Sequence, residues 1–380
     1  LFNALLELEY TLIPHGLHVV GQVPNESERS GLLQAMLEVS LGQLPQDGVV
    51  KDLLGGLSSE QIVSKYPSLL ENVEQEQLIV LLDKMIASNQ LMLQETEVAG
   101  ILKALDGHYI APAAGGDVMR NPDVLPTGRN LHGFDPFRIP SVFAVQDGAK
   151  QAQKIVEKYM ADGNSIPESI AIVLWGSDNL KSEGGQIGQA LALMGALPRF
   201  DSYGRLAGAT LIPLAELGRP RIDVVITLSG IFRDLMPLQI KLLAEAAFLA
   251  ASADEPLEQN FIRKHALAYQ EEHGCDLETA ALRVYGNADG AYGANVSNMI
   301  ESSVWDEEDE LAETYTRRKG FAFGKAGKPI QNNQILKSVL SNVDLTYQNL
   351  DSMELGVTTI DNYFDTLGGI TRAVKRAKGG

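Results

Sequence analysis

Ser169-Ile170-Ala171-Ile172-Val173-Leu174-Trp175 and Arg221-Ile222-Asp223-Val224-Val225-Ile226-Thr227 are the two runs that decide the fold. Each is almost continuously apolar, rich in β-branched residues and of strand length. A strand wetted on one face alternates; one covered on both faces does not. Helical patterns surround the two runs, at Gly148–Ala161, Ile187–Met194 and Leu238–Ala251. A third strand is expected at residues 208–213. This alternation predicts an α/β fold with a mainly parallel sheet flanked by helices over residues 146–253. Ligands of such sheets sit at the carboxyl ends of the strands. Those ends carry Trp175-Gly176-Ser177-Asp178-Asn179 and Ser229-Gly230-Ile231-Phe232-Arg233-Asp234.

Working outward, residues 1–107 read as a mainly helical region. Asn25-Glu26-Ser27-Glu28 and Ser58-Ser59-Glu60-Gln61 have the form of capping boxes. Leu78, Leu82, Met85, Ile86 and Leu93 recur at helical spacing, and Gly107 is placed to end the helix holding Ile101, Leu102 and Leu105. Residues 1, 2, 5, 6 and 8 are apolar at near-helical spacing, so the chain is expected to open inside a helix of a longer protein. Residues 108–145 are dense in Pro and Gly yet keep Tyr109, Arg129, Asn130, His132 and Phe134. They are expected to form an irregular but ordered segment, because free linkers lack such anchors. Residues 254–380 read as a helical part and polar tail. Asp254-Glu255-Pro256 is the expected start of one helix and Gly274 its stop; an acidic helix over 306–318 ends in Arg317, Arg318 and Lys319, which suits its dipole.

The chain has 380 residues, 45% hydrophobic, with a formal net charge of −18. Such a charge repels a phosphate backbone, so no nucleic-acid partner is expected. Cys275 is the one cysteine, which fits a reducing compartment, and no apolar run reaches the length of a membrane-spanning helix. There is no GxxxxGK[ST], no HExxH, no paired cysteines and no GxSxG. Gly184-Gly185-Gln186-Ile187-Gly188 lacks the full dinucleotide fingerprint.

Several blocks resemble, in order, the large porphyrin-binding subunit of magnesium chelatases. They are Leu12–Val19, Leu125-Pro126-Thr127-Gly128-Arg129-Asn130, Trp175–Lys181, Leu214–Val224, Ser229–Asp234, Asn260–Ala266 and Tyr347–Ser352. The related cobaltochelatase large subunit shares three of them. Asp178-Asn179 and Arg263-Lys264-His265 favour the magnesium branch, and Ser182–Gly185 with Ala190–Gly195 is similar to its bacteriochlorophyll-pathway form. Family members are longer, and their upstream histidine- and glutamate-bearing block is not found, so the chain is expected to be a central-to-late piece. The resemblance implies protoporphyrin IX and Mg²⁺ as substrates. It also implies ATP bound by two partner ATPase-type subunits rather than by this chain, a porphyrin-delivery protein as a further partner, and a cytoplasmic or plastid-stromal location. The alternatives are a cobaltochelatase acting on a corrin precursor and a docking fragment for the ATPase subunits, without chemistry of its own.

Metal insertion requires a base for the two pyrrole protons, oxygen ligands for Mg²⁺, and donors for the porphyrin propionates. No catalytic residue is assigned. The candidate porphyrin-binding residues are Asn130, His132, Trp175, Asp178 and Arg233. Each has a plainer reading. His132 and Asn130 could structure their loop; Trp175 could fill the core rather than stack on a macrocycle. Asp178, like Glu183 a possible proton acceptor, could cap a helix, and Arg233 could pair with an interior carboxylate such as Asp178. His18 reads as a core histidine, His265 as solvated or interdomain, and Arg219 and Arg221 as surface or interdomain ion-pair residues.

Overall fold

The computed structural model describes residues 19–70, 73–114, 118, 122–132, 135–350 and 361–379. The expected opening helix, His18 and most of the Leu12–Val19 block lie outside these residues, as do Phe134, Asp351 and Ser352. The described residues form two compact units, one up to His132 and one from Asp135.

The first unit is built from helices, notably α1 (Glu26–Leu41), α2 (Gln75–Met92) and α3 (Glu97–Leu105). Both capping boxes form: Asn25 and Ser58 each accept from the backbone three residues on, and Glu28 and Gln61 reach back. Each box satisfies two helix-end N–H groups that would otherwise go unpaired. Leu33, Met36 and Leu37 of α1 meet Leu78, Leu82 and Met85 of α2 in a core completed by Val49, Leu53, Ile62 and Val63. Leu93 falls one residue past α2 and is 48% exposed. Ile101, Leu102 and Leu105 of α3 are also exposed, so that helix buries no side chain.

After α3, β1 (Pro112–Ala114) pairs in parallel with β2 (Asn130–His132). The loop between them is tied from inside: Arg129 donates to the carbonyls of Asp123, Val124, Leu125 and Pro126. Gly128 has φ +73°, and a Cβ there would sit 2.0 Å from the Thr96 carbonyl oxygen. Only glycine allows that approach.

The second unit contains a six-stranded sheet in the order β10-β3-β6-β7-β8-β9. Its centre is β3 (Ser169–Leu174) beside β6 (Asp223–Leu228), parallel in full register from Ser169↔Asp223 to Leu174↔Leu228. Every residue of both is buried, as expected for strands covered on both faces. β10 (Leu345–Gln348) and β7 (Val284–Gly286) extend the parallel order on either side. β8 (Phe321–Phe323) and β9 (Pro329–Gln331) add an antiparallel edge. The flanking helices include α4 (Val142–Ala161), α5 (Gly176–Lys181), α6 (Gly185–Met194), α7 (Gly230–Leu235), α8 (Pro237–Ser252), α9 (Phe261–His273), α10 (Glu308–Lys319) and α11 (Asp361–Ala377). α4 and α6 touch backbone to backbone: a Cβ on Gly148 would lie 2.5 Å from the Gln189 nitrogen, and one on Gly188 2.5 Å from the Ala144 oxygen.

Two expectations are corrected. The third strand, β5 (Leu206–Leu211), is not part of the main sheet; it pairs antiparallel with β4 (Ala196–Phe200) as a separate hairpin. The local reason is the turn, where Asp201 Oδ1 accepts from the backbone of Tyr203 and Arg205 and folds the chain straight back. The sheet is also not confined to residues 146–253, because β7 to β10 all come from the part read as helices and polar tail. Runs of three or four residues are too short to show a period. Gly274 does end α9 in the left-handed conformation, but the cap at its start is Asn260, not Asp254. No helix among the described residues is long and apolar enough to cross a membrane.

Candidate functional site

Two turns meet at the carboxyl ends of β3 and β6. Ser229 Oγ accepts from the Phe232 nitrogen, capping α7, and from the Gly176 nitrogen at the start of α5. One hydroxyl therefore caps one turn and ties it to the other. Gly176 permits this, since a Cβ there would fall 2.7 Å from the Phe232 nitrogen. Trp175, half-buried, donates from Nε1 to Gln348 Oε1 at the end of β10 (3.2 Å). Asn179 donates to the Trp175 carbonyl and to Gln186 Oε1, and accepts from the Ile187 nitrogen. Trp175 thus stands on a buried amide network.

Asp178 is 1% exposed, in the first turn of α5, with Ser177 Oγ at 3.3 Å from its Oδ1. The cap position of that helix belongs to Trp175. Arg233 is 6% exposed. It donates from Nε to Asp234 Oδ1 (2.7 Å) and from Nη1 to the carbonyls of Ala288 (2.5 Å) and Ala291 (2.8 Å). These bonds hold the loop of residues 287–293 against the β6 turn. In the first unit, Asn130 is exposed and opens β2, and His132 closes that strand, its side chain lying outside the described part. Within the same unit Leu125 and Thr127 line an apolar cavity of about 320 Å³ with Leu91, Met92 and Val124.

Two groups of charged residues went unread in the sequence. Lys319, read as a helix-end cation, is wholly buried. Its Nζ donates to the Leu228 carbonyl (2.9 Å) and to Asn287 Oδ1 (2.8 Å). Burial pushes its pKa down to about 7. Its partners lie 91 and 32 residues away in sequence, so no periodicity reveals its burial.

The other group lies at the opposite, amino ends of β3 and β6. His265 is not solvated: its Nδ1 is 2.8 Å from Asp223 Oδ2 and its Nε2 3.3 Å from Glu168 Oε2. Asp223 also accepts from Arg283 Nε at 2.7 Å, both side chains being 1% exposed. Burial would raise the Asp223 carboxyl, but the Arg283 charge and the contact with His265 hold it below its usual value. Arg221 is likewise interior, 1% exposed, and meets both oxygens of Glu255 at 2.8 Å. Arg219 donates to the Ala192 and Leu193 carbonyls that end α6. The expected surface roles of these residues are replaced by internal cross-links, because each finds a carboxylate or a row of helix-end carbonyls within the unit.

A family model described as CobN/Magnesium Chelatase matches residues 1–380. The chain is 54% identical over 376 residues to the magnesium-chelatase H-subunit of Cereibacter sphaeroides, covering 99% of this chain and 28% of that protein. It is 34% identical over 292 residues to the aerobic cobaltochelatase subunit CobN of a Sinorhizobium species, covering 74% of this chain and 23% of that one. The solved catalytic subunit of cobaltochelatase from Mycobacterium tuberculosis superposes with a TM-score of 0.76 at 29% identity, over 96% of this chain and 33% of that chain. The chain thus spans a quarter to a third of the length of these relatives.

Proposed function

The chain belongs to the CobN/magnesium chelatase family, and on that premise we propose that it forms part of the porphyrin-binding subunit of a magnesium chelatase. The reaction inserts Mg²⁺ into protoporphyrin IX in (bacterio)chlorophyll synthesis. ATP is bound and hydrolysed by two partner subunits rather than by this chain, and a porphyrin-delivery protein is a further partner. The compartment is the cytoplasm, or the stroma in a plastid. The magnesium reading outranks the cobalt one because identity is 54% to the magnesium-chelatase relative and 34% to the cobaltochelatase relative.

The observation that carries the site is the meeting of two family blocks, Trp175–Lys181 and Ser229–Asp234, through the Ser229 hydroxyl at the carboxyl ends of β3 and β6. Trp175, Asp178 and Arg233 are the candidate porphyrin-site residues of this unit. Asn130 and His132 are those of the first unit. Trp175 offers an aromatic surface at a strand end, Asp178 a carboxylate held in the first helical turn, and Arg233 a guanidinium that shapes the neighbouring loop.

A macrocycle enclosed by several parts of a long protein loses most of its contact surface when one part is taken alone. This chain therefore contributes one wall of the site. Titration of the isolated chain with protoporphyrin IX, read by fluorescence quenching, should give a dissociation constant weaker than about 1 μM. Chelation should be absent without the remaining subunits. Sub-micromolar binding would refute the one-wall arrangement, and a preference for a metal-free corrin would transfer the chain to the cobalt branch.

A further inference from the structure

At the carboxyl ends of β6 and β7, the residues singled out by sequence support a surface rather than form it. Arg233 is 6% exposed, whereas Tyr292, in the loop it holds, is 52% exposed. Tyr292 is fixed on three sides. Its hydroxyl donates to Asp234 Oδ2. The Arg233 guanidinium lies 5.2 Å from its ring centre. The ring also rests on Gly230 so closely that a Cβ there would come within 2.2 Å of Tyr292 Cδ1. An exposed ring this well held loses little freedom when something stacks on it.

The charge beside it is unbalanced. Arg318 Nη2 donates to the Tyr292 carbonyl at 2.7 Å, and its buried Nε has no partner. Arg318 makes no ion pair among the described residues, in a chain with 49 acidic side chains. Its neighbours do not supply one. Asp234 is taken by Arg233 and Tyr292. Asp365 gives both oxygens to the backbone N–H groups of Ala294, Asn295, Val296 and Ser297. Lys319, adjacent in sequence, donates to uncharged acceptors alone. Arg318 is thus a surplus cation bonded to the backbone of a residue whose ring is pre-set.

We propose that Tyr292 and Arg318 form a subsite for a flat, carboxylate-bearing ring system, the ring face on Tyr292 and one carboxylate on Arg318. Arg233 and Asp234 are positioning residues that hold Tyr292. This assignment rests on the porphyrin reading and names the part of the site that meets a propionate. A guanidinium suits a carboxylate in shape and charge, and desolvation beside the ring strengthens the pair.

The test uses two probes on the 380-residue chain, protoporphyrin IX and its dimethyl ester, followed by porphyrin fluorescence anisotropy. Arg318→Gln should weaken protoporphyrin IX by roughly 10- to 100-fold while leaving the ester within about twofold. Tyr292→Leu should weaken both probes alike, by roughly threefold to tenfold. Arg318→Lys should recover part of the protoporphyrin IX affinity, which a purely structural arginine would not show. If Arg318→Gln lowers both probes equally, or neither, the subsite is overturned while the porphyrin reading stands. If the unaltered chain binds neither probe, the subsite is overturned, whereas the porphyrin reading, which asks only for weak binding by one wall, falls if the intact subunit binds neither probe. Thermal melts matched to the unaltered chain establish that each variant is folded; should Arg318→Gln fail that control, the Arg318→Lys and Tyr292→Leu contrasts between the two probes decide alone.

Discussion

Replacing Asp223 by Asn should destabilise the chain far more than replacing its neighbour Glu168 by Gln. Asp223 and Arg283 are both 1% exposed and 2.7 Å apart. Arg283 Nη1 donates to the Ala280 and Leu282 carbonyls, and its Nη2 has no partner. Among these contacts Asp223 alone neutralises its charge. Removing one member of a buried pair strands the other and costs about 3–5 kcal/mol. The lower end, about 3 kcal/mol, applies because Asn keeps an acceptor for Arg283 Nε while losing the charge. Glu168 is 39% exposed and its partner Lys264 41%, so Glu168→Gln should cost no more than about 1 kcal/mol. Urea denaturation at neutral pH, followed by far-ultraviolet circular dichroism, compares the two. Asp223→Asn combined with Arg283→Met removes the stranded charge and should be more stable than Asp223→Asn alone. The carboxyl of Asp223 is depressed in the fold below its usual 3.8. Its contribution is therefore present above that value and lost as pH falls below about 4, a loss the Asn variant should lack. If Asp223→Asn costs as little as Glu168→Gln, or if the double variant loses the sum of the two single losses, the buried-charge argument is wrong.

The pKa of Lys319 is also depressed, but for the opposite reason: burial disfavours its charged form, whereas the Arg283 charge favours that of Asp223. Its folded pKa is about 7 against the usual 10.5, so between these values the unfolded chain holds a proton that the folded chain lacks. Stability relative to Lys319→Met should then rise with pH from about 7 to 10, with a slope approaching 1.4 kcal/mol per unit, and a flat difference would refute it. Gly148→Ala should cost about 1–3 kcal/mol, because the new Cβ meets the Gln189 and Gly188 backbone and α4 must move off α6. Gly31→Ala, on the exposed side of α1 with nothing within 4 Å, should instead raise stability by about 0.5–1 kcal/mol in the same urea denaturation.

What could be read in the sequence, and what could not, divides along the range of the interactions. The centre of the sheet was legible because β3 and β6 are each covered on both faces, so burial writes itself into six successive residues. The capping boxes at Asn25 and Ser58 were legible because both partners lie three residues apart. The hairpin of β4 and β5 was missed although its determinant, Asp201, is local; apolar content was weighed there instead of turn chemistry. The charged interior was beyond reach for a different reason. Lys319 meets a carbonyl 91 residues away, His265 a carboxylate 42 residues away, and Arg221 one 34 residues away. No short window of sequence contains such a pair, so each residue was read by type: Lys319 as a helix-end cation, His265 and Arg221 as surface or interdomain.

The same reasoning bears on the proposed site, whose candidate residues lie in the quoted blocks while Tyr292 and Arg318 do not. A turn needs its glycine and its buried tie as strictly as a ligand needs its contact. Gly176, Ser229, Gly230 and Arg233 serve the turns: Gly176 leaves room for the Phe232 nitrogen and Gly230 for the Tyr292 ring, Ser229 accepts from the Gly176 nitrogen, and Arg233 holds the Ala288 carbonyl. Tyr292 and Arg318 sit outside the blocks quoted for the resemblance, on a Gly/Asn-rich loop and at the end of an acidic helix. Their juxtaposition needs β6, β7 and α10 all in place, and only the folded chain supplies it. The motifs therefore hold the frame of the proposed site. The proposed surface is held from beneath by buried donors, as Arg233 fixes the 287–293 loop that carries Tyr292.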